Sequence, residues 1–205
     1  MSLSELTING FTDIVASSAP SPGGGSVAAL AGSLAAALAG MVAALTEGKE
    51  KYAAYQDEMS SVLKESHVLQ CQLTELIDRD SSSFALYMQA LSLPKGTPAE
   101  KAIRSERMQD GLKTAALVPM ETAEASFKVF PLAETVLQHG NSNAVTDALV
   151  SVLLARAAVL GALLNVRINL SSIRDEEFTQ TLRDRADVLE KEANDYERRL
   201  MEKRP

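Results

Sequence analysis

The 205-residue chain contains few of the residues that mark disulfide-rich, metal-binding or nucleic-acid-binding proteins. It has one cysteine, two histidines and no tryptophan, and aromatic residues make up only 4% of it. A single cysteine excludes an intramolecular disulfide, and no Cys/His/carboxylate spacing resembles a set of metal ligands. The net charge of −7 gives no overall basic surface for a nucleic acid or an anionic membrane. We therefore expect no metal cofactor and no nucleic-acid partner.

A secretion signal is also lacking, because no basic start is followed by an apolar stretch and a cleavage site. Together with the single cysteine, this favours a cytoplasmic protein. Residues 27–45 challenge that expectation, since these nineteen residues carry no charge and are about long enough to span a bilayer. Nine of them are alanine and two are glycine, which suits burial between helices better than contact with lipid. We predict a buried core helix here and no membrane-spanning segment.

Apolar residues recur three and four positions apart along almost the whole chain, which predicts helices, and no credible strand is visible. Pro20 and Pro22 end the first predicted helix, Ser26 is expected to cap the second, and Gly48 suits the left-handed residue after it. We predict a single domain over residues 1–205, folded as an all-α, up-and-down bundle of about seven helices. The predicted helices cover about residues 4–18, 26–46, 50–91, 98–127, 132–139, 144–170 and 174–203.

The second predicted helix carries small residues at a strict spacing of four. They are Ala28, Gly32, Ala36, Gly40 and Ala44. Such a stripe lets another backbone approach closely, either within the bundle or across the twofold axis of a homodimer. The stripe indicates packing rather than chemistry.

The third predicted helix carries two aspartates on different faces. Asp80 falls on the apolar stripe, four residues after Leu76 and four before Phe84, whereas Asp78 shares its face with polar residues. Burial among apolar groups raises the pKa of a carboxylate unless a cation or several donors hold it, and this is the usual environment of a general acid or base. Asp80 is therefore a candidate proton carrier. A buried aspartate that links helices through hydrogen bonds would fit the same pattern.

Amides and glycines form two further candidate groups. Asn165 and Asn169 lie four residues apart on one face of the sixth predicted helix, where they could serve either a ligand or interhelix hydrogen bonds. The segment that leads into the second predicted helix is glycine-rich and consists of Gly23, Gly24, Gly25 and Ser26. A helix N-terminus presents free backbone donors to an anion or a carbonyl oxygen. Close approach of two chain segments would explain the glycines equally well.

A series of short motifs, spread over nearly the whole chain, carries a resemblance to a known family. The glycine-rich segment is followed by an Ala-rich helix and then by Leu45-Thr46-Glu47-Gly48-Lys49. The later motifs are Leu76-Ile77-Asp78-Arg79-Asp80, Leu93-Pro94-Lys95, Val118-Pro119, Gly140-Asn141 and Asn165-Val166-Arg167-Ile168-Asn169. In this order they resemble the formiminotetrahydrofolate cyclodeaminase and methenyltetrahydrofolate cyclohydrolase family.

The resemblance implies a helical homodimer that binds a tetrahydrofolate derivative in a cleft near the subunit interface, with no other cofactor. The second aspartate of the family's Asp-x-Asp segment is its catalytic group, and it corresponds to Asp80. The expected substrate-binding residues are Gly23, Gly24, Gly25, Ser26, Lys49, Lys95, Asn141, Asn165 and Asn169. Among them Lys49 and Lys95, together with Lys51, are candidates for binding the acidic glutamate tail. The serines at positions 81–83 depart from the acidic or alanine-rich residues often found there.

Two reactions share the scaffold that the resemblance implies. A cyclohydrolase adds water to the cationic methenyl bridge of 5,10-methenyltetrahydrofolate and opens the ring to 10-formyltetrahydrofolate. A cyclodeaminase closes a formimino group onto the second nitrogen and releases ammonia. Since no formiminotransferase domain is seen in this sequence, the cyclohydrolase is the first expectation and the cyclodeaminase the alternative. A non-catalytic folate-binding helical dimer is a second alternative.

Overall fold

The computed structural model describes residues 2–203, all of whose regular structure is helical. The α-helices are α1 (Ile8–Val15), α2 (Gly24–Ala44), α3 (Gln56–Ser92), α4 (Pro98–Phe127), α5 (Val129–His139), α6 (Val145–Leu170) and α7 (Glu176–Met201). Two short 3₁₀ segments, Glu50–Tyr55 and Ser142–Ala144, precede α3 and α6. Only Phe11 of α1 is buried. Of the seven α-helices in residues 2–203, α1 lies at the edge. The bundle itself is therefore formed by six helices, where the sequence predicted about seven.

Helix α2 lies at the centre of the bundle, where it packs mainly against α3 and α6. Its small residues make these contacts close. A side chain at Gly32 would collide with Ser126 and Leu73, and one at Gly40 would press on Ser66. Gly32 and Gly40 of the small-residue stripe thus pack inside the bundle, against α3 and α4, as the first of the two expectations for the stripe required. Gly48, with φ of 70°, ends this region in the expected left-handed conformation.

Helices α2 and α6 run antiparallel, since Gly24 lies beside Asn165 and Ala28 beside Gly161. Both helices are long and apolar enough to cross a membrane by composition alone, and half of the most apolar part of each is buried inside the bundle. Other large apolar residues of the two helices are exposed, and on each helix they lie along one face, as the helical repeat requires. We call this surface the α2/α6 apolar face; it consists of Val27, Leu34, Met41, Leu45, Val150, Leu153, Leu164 and Ile168.

Candidate active site at the start of α2

The carboxylate of Asp80 lies against the first turn of α2. The Ser26 hydroxyl is 3.0 Å from Asp80 Oδ2 and 3.0 Å from the backbone oxygen of Ile77, and it is hydrogen-bonded to both. The backbone N–H of Ser26 also donates to Asp80. Ser26 was expected to cap α2, but Gly23 occupies the N-cap position, so the serine lies inside the first turn and turns toward α3. The anion at this helix end is thus the protein's own aspartate.

Burial raises the pKa of Asp80 above its ordinary value. The hydrogen bonds from the Ser26 hydroxyl and backbone N–H act in the opposite direction, but they are too weak to cancel the loss of hydration. The positive end of the α2 dipole also favours the charged form. A carboxyl group in this balance can carry a proton closer to neutral pH than an exposed aspartate can.

The three glycines before Ser26 differ in what they make room for. A Cβ atom at Gly25 would overlap the Asp80 carboxylate, whereas one at Gly24 would lie 3.1 Å from Asn165 Nδ2. Nothing lies within 4 Å of a Cβ at Gly23. Gly25 therefore allows the close approach of α2 and Asp80, and Gly23 is not needed for space.

Of the two asparagines on α6, Asn165 is the one placed at the site. Its Nδ2 donates to the Gly161 backbone oxygen at 2.8 Å. Its Oδ1 accepts no hydrogen bond from any residue that the structure describes. Asn169 instead donates to the backbone oxygens of Ala115 at 2.7 Å and Asn165 at 2.9 Å, and so links α6 to α4. Asn165 is available to a ligand beside Asp80, while the amide N–H₂ of Asn169 is used by the fold.

Asp78, two residues before Asp80, has a structural role that the sequence did not indicate. It accepts hydrogen bonds from Ser2 Oγ at 2.7 Å, the Leu3 backbone N–H at 2.6 Å and Ser4 Oγ at 2.9 Å. Although burial acts to raise its pKa, these donors hold the pKa of Asp78 below its ordinary value. Asp78 therefore fastens the N-terminal segment to α3 as a carboxylate.

Comparisons of the sequence and of the fold with known proteins both identify one family. The family profile described as formiminotransferase-cyclodeaminase matches residues 7–188. The chain is 41% identical to the methenyltetrahydrofolate cyclohydrolase of Methylorubrum extorquens, over 96% of this chain and 94% of that protein. The chain belongs to the formiminotransferase-cyclodeaminase family.

Two further members of this family extend the comparison. The formimidoyltransferase-cyclodeaminase of Rattus norvegicus is 35% identical over 94% of this chain, which spans only 36% of that longer protein. The crystal structure of formiminotetrahydrofolate cyclodeaminase from Thermotoga maritima superposes with a TM-score of 0.87 at 30% identity, covering 97% of this chain and 96% of that one. The family resemblance found in the sequence is thereby confirmed.

The remaining residues predicted to bind the folate lie away from Asp80 within one chain. Lys49 and Asn141 lie at the C-terminal end of α2, about 27 Å along the helix from Ser26. Asn141 is anchored there, since its side chain donates to the Leu45 backbone oxygen at 3.2 Å and its backbone N–H donates to Thr46 Oγ1 at 2.8 Å. The described chain does not bring this pair into one cleft with Asp80.

A polar cluster near Lys49 and Asn141 was missed by the sequence reading. Tyr52 is 8% exposed. Hydrogen bonds with Ser142, and the nearby Lys51, lower the pKa of Tyr52 to about 8. The Ser142 backbone N–H donates to the phenol oxygen at 3.0 Å, and Lys51 Nζ lies 3.3 Å from Ser142 Oγ. Because the tyrosine and the serine are 90 residues apart, no local pattern could have joined them.

Lys95 lies in a third location, the connection between α3 and α4. It lines a pocket of about 320 Å³ together with residues of α4 and of the α6–α7 connection. The predicted binding residues are thus divided among three places. Asp80, Gly24, Gly25, Ser26 and Asn165 are the ones that the fold brings together.

Proposed function

We propose that the protein hydrolyses 5,10-methenyltetrahydrofolate to 10-formyltetrahydrofolate, with Asp80 as the proton carrier. The Methylorubrum extorquens relative supports the reaction, because it is named as a methenyltetrahydrofolate cyclohydrolase and aligns over nearly the full length of both chains. The names of the relatives support a tetrahydrofolate derivative as the substrate, and Asn165 would offer it a polar side chain next to Asp80.

The observation that carries the proposal is the pairing of Asp80 with Ser26. The serine hydroxyl has one hydrogen and two acceptors within 3.0 Å, Asp80 Oδ2 and the Ile77 backbone oxygen. When Asp80 is ionised, the hydroxyl donates to it. When Asp80 is protonated, the acid can donate to Ser26 Oγ while the hydroxyl donates to Ile77. Both protonation states are therefore accommodated without rearrangement, as a proton carrier requires.

The chemistry needs one group that first takes a proton and then returns it. Water adds to the cationic methenyl carbon, and Asp80 accepts a proton from that water. The tetrahedral adduct then collapses as the bond between this carbon and N5 breaks: N5 receives the proton held by Asp80, and the adduct's hydroxyl releases its own proton to water as it becomes the formyl C=O. The formyl group remains on N10. Before it takes the proton, the charge of Asp80 also stabilises the cationic bridge.

The cyclodeaminase reaction is the alternative, and the Thermotoga maritima structure of that name favours it. Here N10 attacks the formimino carbon, N10 loses its proton, and ammonia leaves after taking one up. The same carboxyl group can serve both transfers. The two reactions therefore differ in the nucleophile, which is water or N10, and in the leaving group, which is N5 or ammonia.

One preparation assayed with both substrates decides between the reactions. Loss of the absorbance of 5,10-methenyltetrahydrofolate is followed in one assay, and turnover of 5-formiminotetrahydrofolate in the other. We expect faster enzymatic turnover of the methenyl compound. Turnover of the formimino compound alone would establish the alternative, and binding of both without turnover would establish a non-catalytic folate-binding dimer.

We also propose a homodimer, formed through the α2/α6 apolar face. Val27, Leu34 and Ile168 are respectively 39%, 49% and 68% exposed, which makes the face costly to leave in water. A second copy would cover both helices, and an antiparallel arrangement would bring the Lys49 end of one α2 toward the Asp80 end of the other. Light scattering should give twice the monomer mass for the wild type and a lower mass for Leu34→Glu. A monomeric wild type at micromolar concentration would refute the dimer.

The proposed setting is the cytoplasm, without a metal, a membrane or a nucleic acid. Its support is the acidic composition and the lack of a metal-ligand pattern in the sequence. Turnover should survive treatment with a strong chelator. Its loss, followed by recovery on adding a divalent metal, would refute the metal-free proposal.

A further inference from the structure

Helix α3 extends past the start of α2. The two helices run antiparallel, since the first turn of α2 packs on Asp80 and its later residue Gly40 packs on Ser66, nearer the beginning of α3. Asp80 is twelve residues before Ser92, the last residue of α3, so about 18 Å of α3 continues beyond the start of α2. We call this part, residues 81–92, the α3 overhang. Helix α2 does not run alongside it.

Two apolar side chains of the α3 overhang are exposed on the face that carries Asp80. Phe84 and Met88 follow Asp80 by four and eight residues, or one and two helical turns, and they are 36% and 46% exposed. Leu76, one turn before Asp80 on the same stripe, is fully buried. The apolar stripe of α3 thus continues past the helix that covers its earlier part. An exposed phenylalanine therefore lies one turn from the candidate catalytic residue.

A polar side chain borders the start of α2 from another side. Gly24 lies beside Asn165 of α6, whereas Gly25 lies beside Asp80 of α3. Helices α3 and α6 thus flank the first turn of α2, and α4 packs against both of them. A ligand above this turn would meet an apolar surface on the α3 overhang and an amide on α6. Ligand sites commonly combine aromatic and aliphatic side chains with a few polar groups in this way.

We infer that the α3 overhang binds the p-aminobenzoyl ring of the folate substrate, with Phe84 stacked on the ring and Met88 against its edge. The inference rests on the proposed function, which places the one-carbon unit at Asp80. In the substrate this unit joins a pterin, whose edge is rich in hydrogen-bonding groups, to an aminobenzoyl ring, whose faces are apolar.

The two flanking surfaces match these two halves of the ligand. The amide of Asn165 suits the pterin edge, and the exposed side chains of Phe84 and Met88 suit the ring. Aromatic rings pack on one another in offset or edge-to-face arrangements, and a methionine sulfur packs at a ring edge. Phe84 and Met88 are thus the residues that select a complete folate over a free pterin.

Direct binding tests this selection. 5-Formyltetrahydrofolate and the corresponding 5-formyltetrahydropterin, which lacks the ring, are titrated by calorimetry into the wild type and into Phe84→Ala. We expect the wild type to prefer the folate, and the variant to lose roughly 2–12-fold of that preference, the range for an aromatic pair. Phe84→Tyr keeps the ring and should keep the preference. In kinetics with Phe84→Ala, KM should rise while kcat stays within a few-fold of wild type.

The matched control is Leu86→Ala, another exposed apolar residue of the α3 overhang. It lies on a different face from Phe84, because two residues turn the helix by about 200°. This variant should keep the wild-type preference. An unchanged preference in Phe84→Ala would overturn the inference, as would an equal loss in Leu86→Ala. A Phe84→Ala variant with half the wild-type mass in light scattering would place the ring between two copies and would also overturn it.

Failure of the proposed function would look different, because the wild type would then convert neither folate substrate. Loss of folding in Phe84→Ala would show as a lower melting temperature. In that case Met88→Gln, at the more exposed position, decides by the same titrations: a reduced preference supports the inference and a retained one overturns it.

Discussion

Asp78 and Asp80 lie two residues apart on α3, yet their environments give them opposite properties. The pKa of Asp80 is raised because burial outweighs the hydrogen bonds from Ser26. The pKa of Asp78 is lowered because the donors of Ser2, Leu3 and Ser4 outweigh its burial. The balance between burial and hydrogen-bond donors at each carboxylate, rather than residue type or position in the chain, therefore decides the direction in which its pKa moves.

Both carboxylates take their partners from the first 26 residues. Asp78 binds the beginning of this segment and Asp80 its end, while Ser21 Oγ lies 2.6 Å from Ser81 Oγ in between. A single turn of α3 therefore fixes the N-terminal segment and the start of α2 together. Asp78 therefore holds the N-terminal segment in place, whereas Asp80 is the proposed proton carrier. Replacing each aspartate in turn tests this difference.

The largest effect is expected from Asp80→Asn. The amide keeps the size of the side chain and can still accept from Ser26, but it carries no titratable proton. Turnover of the preferred substrate should fall by about 10²–10⁴-fold, the usual contribution of general acid–base catalysis. Folate binding should fall far less, because the amide has nearly the same shape as the carboxyl group. Steady-state kinetics and calorimetry measure the two quantities, and near-normal turnover would remove Asp80 from the mechanism.

A smaller loss is expected from Gly25→Ala. The new methyl group would overlap the Asp80 carboxylate, so α2 or Asp80 must shift. A displacement on the order of 1 Å at a catalytic group can cost about 10²-fold in rate. Gly23→Ala is the control, since its added Cβ meets nothing within 4 Å. Equal turnover in the two variants would mean that close approach at Gly25 is unimportant.

Asp78→Asn should mainly affect stability. The amide nitrogen cannot accept a hydrogen bond, so some of the donors on Ser2, Leu3 and Ser4 lose their partner. We expect the free energy of unfolding to fall by about 1.5–3 kcal/mol, the range for hydrogen bonds to a charged group. Turnover should stay within a few-fold of wild type. Urea unfolding and kinetics on the same sample test this, and a loss of turnover as large as that of Asp80→Asn would end the distinction between the two residues.

The smallest effects should appear in the pH dependence of stability, with opposite signs. Asp80 has a raised pKa, so its favourable contribution is fully present below the ordinary value of 3.8 and is lost as pH rises through the raised pKa. Asp78 has a lowered pKa, so its contribution is present above 3.8 and is lost as pH falls through the lowered pKa.

Unfolding measured from acid to neutral pH should therefore show different changes in the two variants. Asp80→Asn should remove a decline in stability with rising pH, and Asp78→Asn should remove a loss toward acid. If stability changed with pH in the same way in both variants, the assigned directions of the two pKa shifts would be wrong.

The helices and the candidate catalytic residue, Asp80, could be predicted from the sequence. Each of the predicted segments contains a helix, with ends that differ by a few residues, and α2 extends back to Gly24 because Gly23 rather than Ser26 begins it. The position of Asp80 one turn after the buried Leu76 predicted its partial burial, whereas Phe84, the stripe residue one turn further on, is exposed. Periodicity is a local property of a helix, and it identifies the buried side without knowledge of the neighbouring helix.

The partners of each side chain were decided by the tertiary structure. The sequence alone determined that α3 would bury Asp80 and that the motifs belong to a folate enzyme family. Packing placed Ser26 on Asp80, fixed Ser2 and Ser4 on Asp78, and separated Lys49 and Asn141 from Asp80 by the length of α2. These contacts and distances depend on the axial position of each helix relative to its neighbours. That register is set by side-chain packing between residues distant in sequence, so no local pattern records it.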